Sequence, residues 1–202
     1  MTIWSSKKAT ALGLVGLLGA CDGPLETSSG FLSALSPAQD AALPPVPLTQ
    51  AAMMRGQIAL VPPGGYCIDP ESLTQSFALM GRCDSLGAAT GGSGAPVGVL
   101  TVSIARNAKD TPFPDATQIA EAANVTAPQD TRKTSDSIIF KTAGTPPGPE
   151  LSSLHWRAVA KIDNFIIGAA LFGPEGQRAV SSEGASVLAQ MLERTAAKTS
   201  AR

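Results

Sequence analysis

Very few side chains in this chain could do chemistry. There is one histidine, His155, and there are three cysteines, Cys21, Cys67 and Cys83. A Ser-His-Asp or Cys-His catalyst would have to pass through His155, because no second imidazole exists to take the proton. His155 opens an alternating apolar run beside Trp156 and Arg157, and the next acid downstream is Asp163. A structural strand histidine accounts for it better than a catalyst for which no nucleophile, base and orienting group can be named. Trp and Arg are enriched where proteins bind one another, so Trp156 and Arg157 form a candidate interaction surface. Alternation along a strand sends them to opposite faces, and only one of them can face a core.

Other groups fail the tests for catalysis or cofactor binding. Cys67 and Cys83 are 83 − 67 = 16 residues apart, neither CxxC nor a zinc spacing. In an exported chain such an even pair reads as a disulfide, worth about 3 kcal/mol through loop closure. The run Gly91-Gly92-Ser93-Gly94-Ala95-Pro96-Val97-Gly98 lacks the GxxxxGK[ST] pattern, and a strand rather than a helix follows it. Ser93 is not in G-x-S-x-G, because Ala95 takes the last glycine position. These glycines read as a hairpin loop. Carboxylates are dispersed: Asp69 and Glu71 flank Pro70, and Asp69 would approach Arg82 or Asp84 if their strands pair. Aromatic residues make up 4%, too few for a sugar-binding cleft with paired acids. The formal net charge of −1 and pI near 5.8 provide no footprint for nucleic acid. No metal site is expected.

The remaining cysteine belongs to the amino terminus. Residues 1–8 carry Lys7 and Lys8 and no acid, and residues 9–20, ATALGLVGLLGA, are apolar or small. Such a stretch spans about 18 Å as a helix, short of a roughly 30 Å hydrocarbon core, and has the form of a cleaved secretory signal. It ends in Leu18-Gly19-Ala20-Cys21, which resembles the lipobox of bacterial lipoproteins. The resemblance implies cleavage before Cys21, a diacylglycerol on its thiol and an acyl chain such as palmitate on the new amino terminus. No other cofactor is expected. It also implies that Asp22, next to the lipidated cysteine, acts as a sorting residue favouring retention in the inner membrane. Each buried CH₂ contributes about 0.8 kcal/mol, so more than one acyl chain gives stable attachment. Cleavage removes Lys7 and Lys8 and leaves the exported chain more acidic, so the lipid alone tethers it.

The elements that position these residues follow. Residues 1–20 are signal, and residues 21–50, with Pro24, Pro37, Pro44, Pro45 and Pro47, form a lipidated tether in which Phe31–Leu35 could dock as a helical turn. Residues 51–202 form one domain, long enough to bury a substantial core. Its strands are predicted at Gln57–Val61, Tyr66–Asp69, Val97–Ala105 and Ser137–Thr142; Ser76–Cys83 alternates at Phe77, Leu79 and Gly81 but also fits helical spacing at Leu73, Phe77 and Met80, and is read as a strand over a helix. Within Val97–Ala105, Val97, Val99, Thr101 and Ser103 share one face and Gly98, Leu100, Val102 and Ile104 the other. Asp115 with Gln118 makes a capping box for a helix turning Ile119, Ala122 and Ala123 inward. Leu154–Ile162 and Phe165–Phe172 flank Asp163-Asn164, the pattern of a tight hairpin. A final helix carries the stripe Val187, Leu188, Met191 and Leu192, with Gly184 on the same face to allow close approach to the sheet. The order predicts an α+β fold, an antiparallel or mixed sheet of about five to seven strands packed by two helices. It is similar to the PsbP/Mog1 kind of sandwich.

The expected function is that of a lipid-anchored periplasmic module without enzymatic chemistry, which binds a membrane or periplasmic protein partner or assists its assembly. A module holding a small ligand or lipid between helix and sheet is the second expectation. An enzyme built on dispersed residues such as His155 and Asp163 is the third.

Overall fold

The computed structural model describes residues 45–89, 91–92, 94–108 and 111–202. The readings at Cys21, Asp22, Phe31–Leu35 and Ser93 lie outside the described residues. Along the chain run β1 (Ala51–Met53), β2 (Ile58–Leu60), β3 (Tyr66–Ile68), β4 (Phe77–Arg82), β5 (Val99–Arg106), α1 (Ala116–Ala122), β6 (Gln129–Lys133), β7 (Ser137–Ala143), β8 (Leu154–Ile162), β9 (Phe165–Phe172) and α2 (Ser182–Ser200). β1 and β2 form a small hairpin, and the other strands make a seven-stranded antiparallel sheet in the order β3-β4-β5-β9-β8-β7-β6. The fold is α+β, as the element order predicts.

The β8–β9 hairpin sits at the heart of the sheet. Ile162 pairs with Phe165 across the two-residue turn, where Asp163 takes a left-handed φ of +51°, a conformation Asp tolerates better than most residues. Alternation then sorts the hairpin into two faces. Trp156, Ala158, Ala160 and Ile162 from β8 join Ile167, Ala169 and Leu171 from β9 in the main core, with Leu100, Val102 and Ile104 from β5. α2 covers this face with Leu188, Met191 and Leu192, which are all buried, as the stripe predicts. Gly184 is where α2 comes nearest: a Cβ there would lie 2.5 Å from Trp156 Cδ1 and closer still to the Ala179 carbonyl oxygen. Near its end α2 also serves the β1–β2 hairpin, as Thr195 and Thr199 accept from the backbone N–H groups of Val61 and Ala59, both at 3.1 Å.

α1 lies on the other face. The capping box is present: Asp115 Oδ1 accepts from Gln118 N, and Gln118 Oε1 from Asp115 N, both at 2.9 Å. The inward face differs from the expected one. Ala116, Ile119 and Ala120 pack on Ile138 and Phe140 of β7, while Ala122 is exposed. The true stripe runs i, i+3, i+4, one position out of phase with the expected residue.

Two strands escape the sequence pattern. β6 reads Gln-Asp-Thr-Arg-Lys, is exposed at every residue, and shifts register between Gln129 and Arg132 around Asp130 at φ +47°. A charged, bulged edge strand blunts edge-to-edge association and leaves no hydrophobic alternation to detect. β1 has only three residues. The paired structure also begins upstream of residue 51, because Leu48 bridges Ile68 on the outer edge of β3.

Candidate functional site

The sheet face turned away from α2 carries a short row of small side chains. The register aligns Thr101, Ala170 and Arg157 on β5, β9 and β8, and beside them Phe77, Ser103, Gly168 and Val159 on β4, β5, β9 and β8. Ile119 of α1 and Phe77 stand above this floor and bound a groove of about 130 Å³ that Arg157 lines. Phe77 is 38% exposed, one of the few large apolar side chains left open to solvent.

His155 prepares Arg157. Its ring is buried and stacks on Phe172 with centroids 4.3 Å apart. Nδ1 lies 2.8 Å from the Ser153 carbonyl oxygen, which can only accept, and Nε2 lies 3.0 Å from Arg157 Nε, which can only donate. These partners fix one tautomer: Nδ1–H donates to Ser153 and Nε2 accepts from Arg157. Burial pushes the His155 pKa down, the hydrogen bond to Ser153 offsets part of this and the nearby Arg157 charge adds to the lowering; with Nε2 accepting from Arg157, the imidazole is neutral. Arg157 is half-buried, and burial depresses its pKa as well. Among the described residues the ion pairs are Arg82–Asp84 and Arg178–Glu183; Arg157 has no carboxylate partner there. The site is therefore a guanidinium held by a neutral acceptor at the edge of an apolar groove.

The other singled-out residues go elsewhere. Trp156 is not part of an interaction surface: it is 1% exposed, lies under Gly184 of α2 and donates from Nε1 to the Ser181 carbonyl at 2.6 Å. Of the Trp156–Arg157 pair, only Arg157 reaches the open face. His155 and Asp163 stand at opposite ends of β8, about 26 Å apart at roughly 3.3 Å per residue, so they form no catalytic pair. Asp69 sits opposite Leu79 and closes a local turn by accepting from Glu71 N at 3.1 Å, while Arg82 pairs with Asp84. Cys67 and Cys83 are joined by a disulfide that ties β3 to the end of β4. Gly94 and Gly98 serve packing: the Gly94 carbonyl accepts from Arg178, and a Cβ at Gly98 would lie 2.5 Å from the Phe172 oxygen. Between α2 and the sheet, Trp156, Ile167, Leu188 and Met191 fill the space with fully buried side chains.

Comparison with known proteins adds one likeness. The solution structure of cyanobacterial PsbP (CyanoP) from Synechocystis sp. is similar at 12% identity, over 74% of this chain and 94% of that one, with a TM-score of 0.42. At that score nothing about binding passes from one chain to the other. No protein-family model and no curated protein matches the chain.

The sequence brought out Arg157 but not its surroundings. Thr101 and Ser103 share a face in the strand pattern, yet polar residues opposite Leu100, Val102 and Ile104 read simply as the solvent side. Gly168 and Ala170 look like ordinary small strand residues. Only the register that sets them beside Arg157 makes them a floor.

Proposed function

We propose that this chain is an exported lipoprotein, anchored through Cys21 and held at the periplasmic face of the inner membrane by Asp22, whose folded body binds a membrane or periplasmic protein. The lipobox Leu18–Cys21 supports the anchor. Among the described residues no helix is long and apolar enough to cross a membrane. The binding reading is carried by one observation: Arg157, on the open sheet face, is oriented by a neutral imidazole and lacks a carboxylate among the described residues. That arrangement presents a fixed charge for recognition and leaves the imidazole's two nitrogens occupied.

Cell fractionation tests the anchor. Cys21→Ser should move the protein from the membrane to the soluble periplasmic fraction, and membrane retention of that variant would refute it. Asp22→Ser should shift the protein from inner-membrane to outer-membrane fractions. Affinity capture from detergent-solubilised membranes should return one enriched protein, and its repeated absence would overturn the partner reading.

A further inference from the structure

We infer that the groove beside Arg157 receives the carboxylate of an Asp or Glu side chain from the protein partner. This rests on the binding reading above and names the partner's chemistry. A half-buried guanidinium is costly to leave without an anion. Arg82 and Arg178 have carboxylates of their own, whereas among the described residues Arg157 donates to the uncharged Nε2 of His155. That bond occupies Nε and leaves the two Nη groups, the end-on edge of the guanidinium, to meet a carboxylate through paired N–H donors.

Size selects a side chain over a free ligand. Pockets that hold small molecules run to roughly 300–1,000 Å³, against about 130 Å³ here. The space suits the tip of a Glu or Asp, with Thr101, Ser103 and Phe77 among the residues that line it. Arg157 is the one cation lining the groove among the described residues, which matches a singly charged carboxylate better than a phosphate.

The experiment uses the full chain in detergent micelles and the blocked residue N-acetylglutamate N-methylamide as probe, followed by amide and Arg side-chain NMR. Saturable shifts are expected at Ser103, Gly168, Ala170 and Arg157 Nε–H, with none from the blocked glutamine analogue. Arg157→Gln should weaken the response at least about tenfold, the scale of a lost charge-assisted hydrogen bond. Arg157→Lys, which keeps the charge but not the planar fork, should fall between. Equal binding of the glutamine analogue, an unchanged response in Arg157→Gln and Arg157→Lys, or equally strong shifts with inorganic phosphate would each overturn the inference. Capture from solubilised membranes separates the two levels. A partner held equally by the parent chain and by Arg157→Gln sinks the carboxylate site and leaves the binding reading standing. Probe binding with no captured protein overturns the assignment to a protein partner.

Discussion

The two faces of the seven-stranded sheet are made by the same strands and have opposite characters. Under α2, β8 and β9 present Trp156, Ala158, Ile167 and Leu171, all buried against the helix. On the reverse, neighbouring positions of the same strands present Arg157, Gly168 and Ala170 to a shallow groove. The covered face is organised by volume, since α2 can approach only because Gly184 has no side chain over Trp156. The reverse face joins a small apolar cluster under α1 to a hydrogen-bonded site, with His155 fixing the guanidinium. One side of the hairpin is buried in the main core, while the other borders an open groove.

This contrast can be broken most severely at Trp156. Trp156→Ala should cost about 3–5 kcal/mol, from the lost apolar burial and the cavity left under α2, and remove one of the two donors to the Ser181 carbonyl, which keeps the Gly184 N–H. Urea unfolding should show the loss; a cost below about 1 kcal/mol would mean that the covered face is not the structural one. A smaller effect is expected from Gly184→Ala. Its new methyl meets Trp156 and a backbone oxygen that cannot rotate away, so a loss of about 1–3 kcal/mol should follow from overpacking.

A pH series sharpens the comparison. Burial holds the folded-state pKa of His155 below its ordinary 6.5, so the unfolded chain binds a proton that the folded chain resists. The His155 contribution is intact above that ordinary value and declines as pH falls below it. Protonation would also turn Nε2 into a donor facing Arg157 Nε, so the open face should lose its ordering first. The exposed pairs Arg82–Asp84 and Arg178–Glu183, whose carboxylates are held below their usual range, respond only at lower pH. Denaturation midpoints that fall between pH 7 and 5, together with loss of the Arg157 Nε–H signal, are expected; a flat profile with that signal retained would contradict the assigned tautomer.

The smallest effect should come from Gly168→Ala. The added methyl lies 3.1 Å from Ser103 Oγ, a hydroxyl that can turn aside, so stability should change by less than about 1 kcal/mol while the groove loses room. If Gly168→Ala destabilises as much as Gly184→Ala, the two faces are not different in kind.

Most of the covered face could be read from the chain. Leu100, Val102 and Ile104 alternate with polar neighbours, and Val187, Leu188, Met191 and Leu192 recur at helical spacing. Burial imposes a period on such residues, and a period is what a sequence displays. Asp163-Asn164 and Asp115 with Gln118 were equally legible, because turn and cap chemistry is local. β6 was not, since an edge strand exposed at every residue carries no period. The inward face of α1 was misread by one residue, because seven residues give too few turns to fix its phase.

The Cys67–Cys83 pair, the tight turn at Asp163-Asn164 and the two-fold alternation of the long strands were determined by the sequence itself, through local chemistry and periodic burial. Which of Trp156 and Arg157 would be available to a partner was left open, as was the company Arg157 would keep. Those were decided by tertiary structure: α2 could close over only one face, and the β5–β9–β8 register brought Thr101 and Ala170 into line with Arg157. Long-range pairing of this kind leaves no mark at the residues it joins, so the groove exists only once the sheet is assembled.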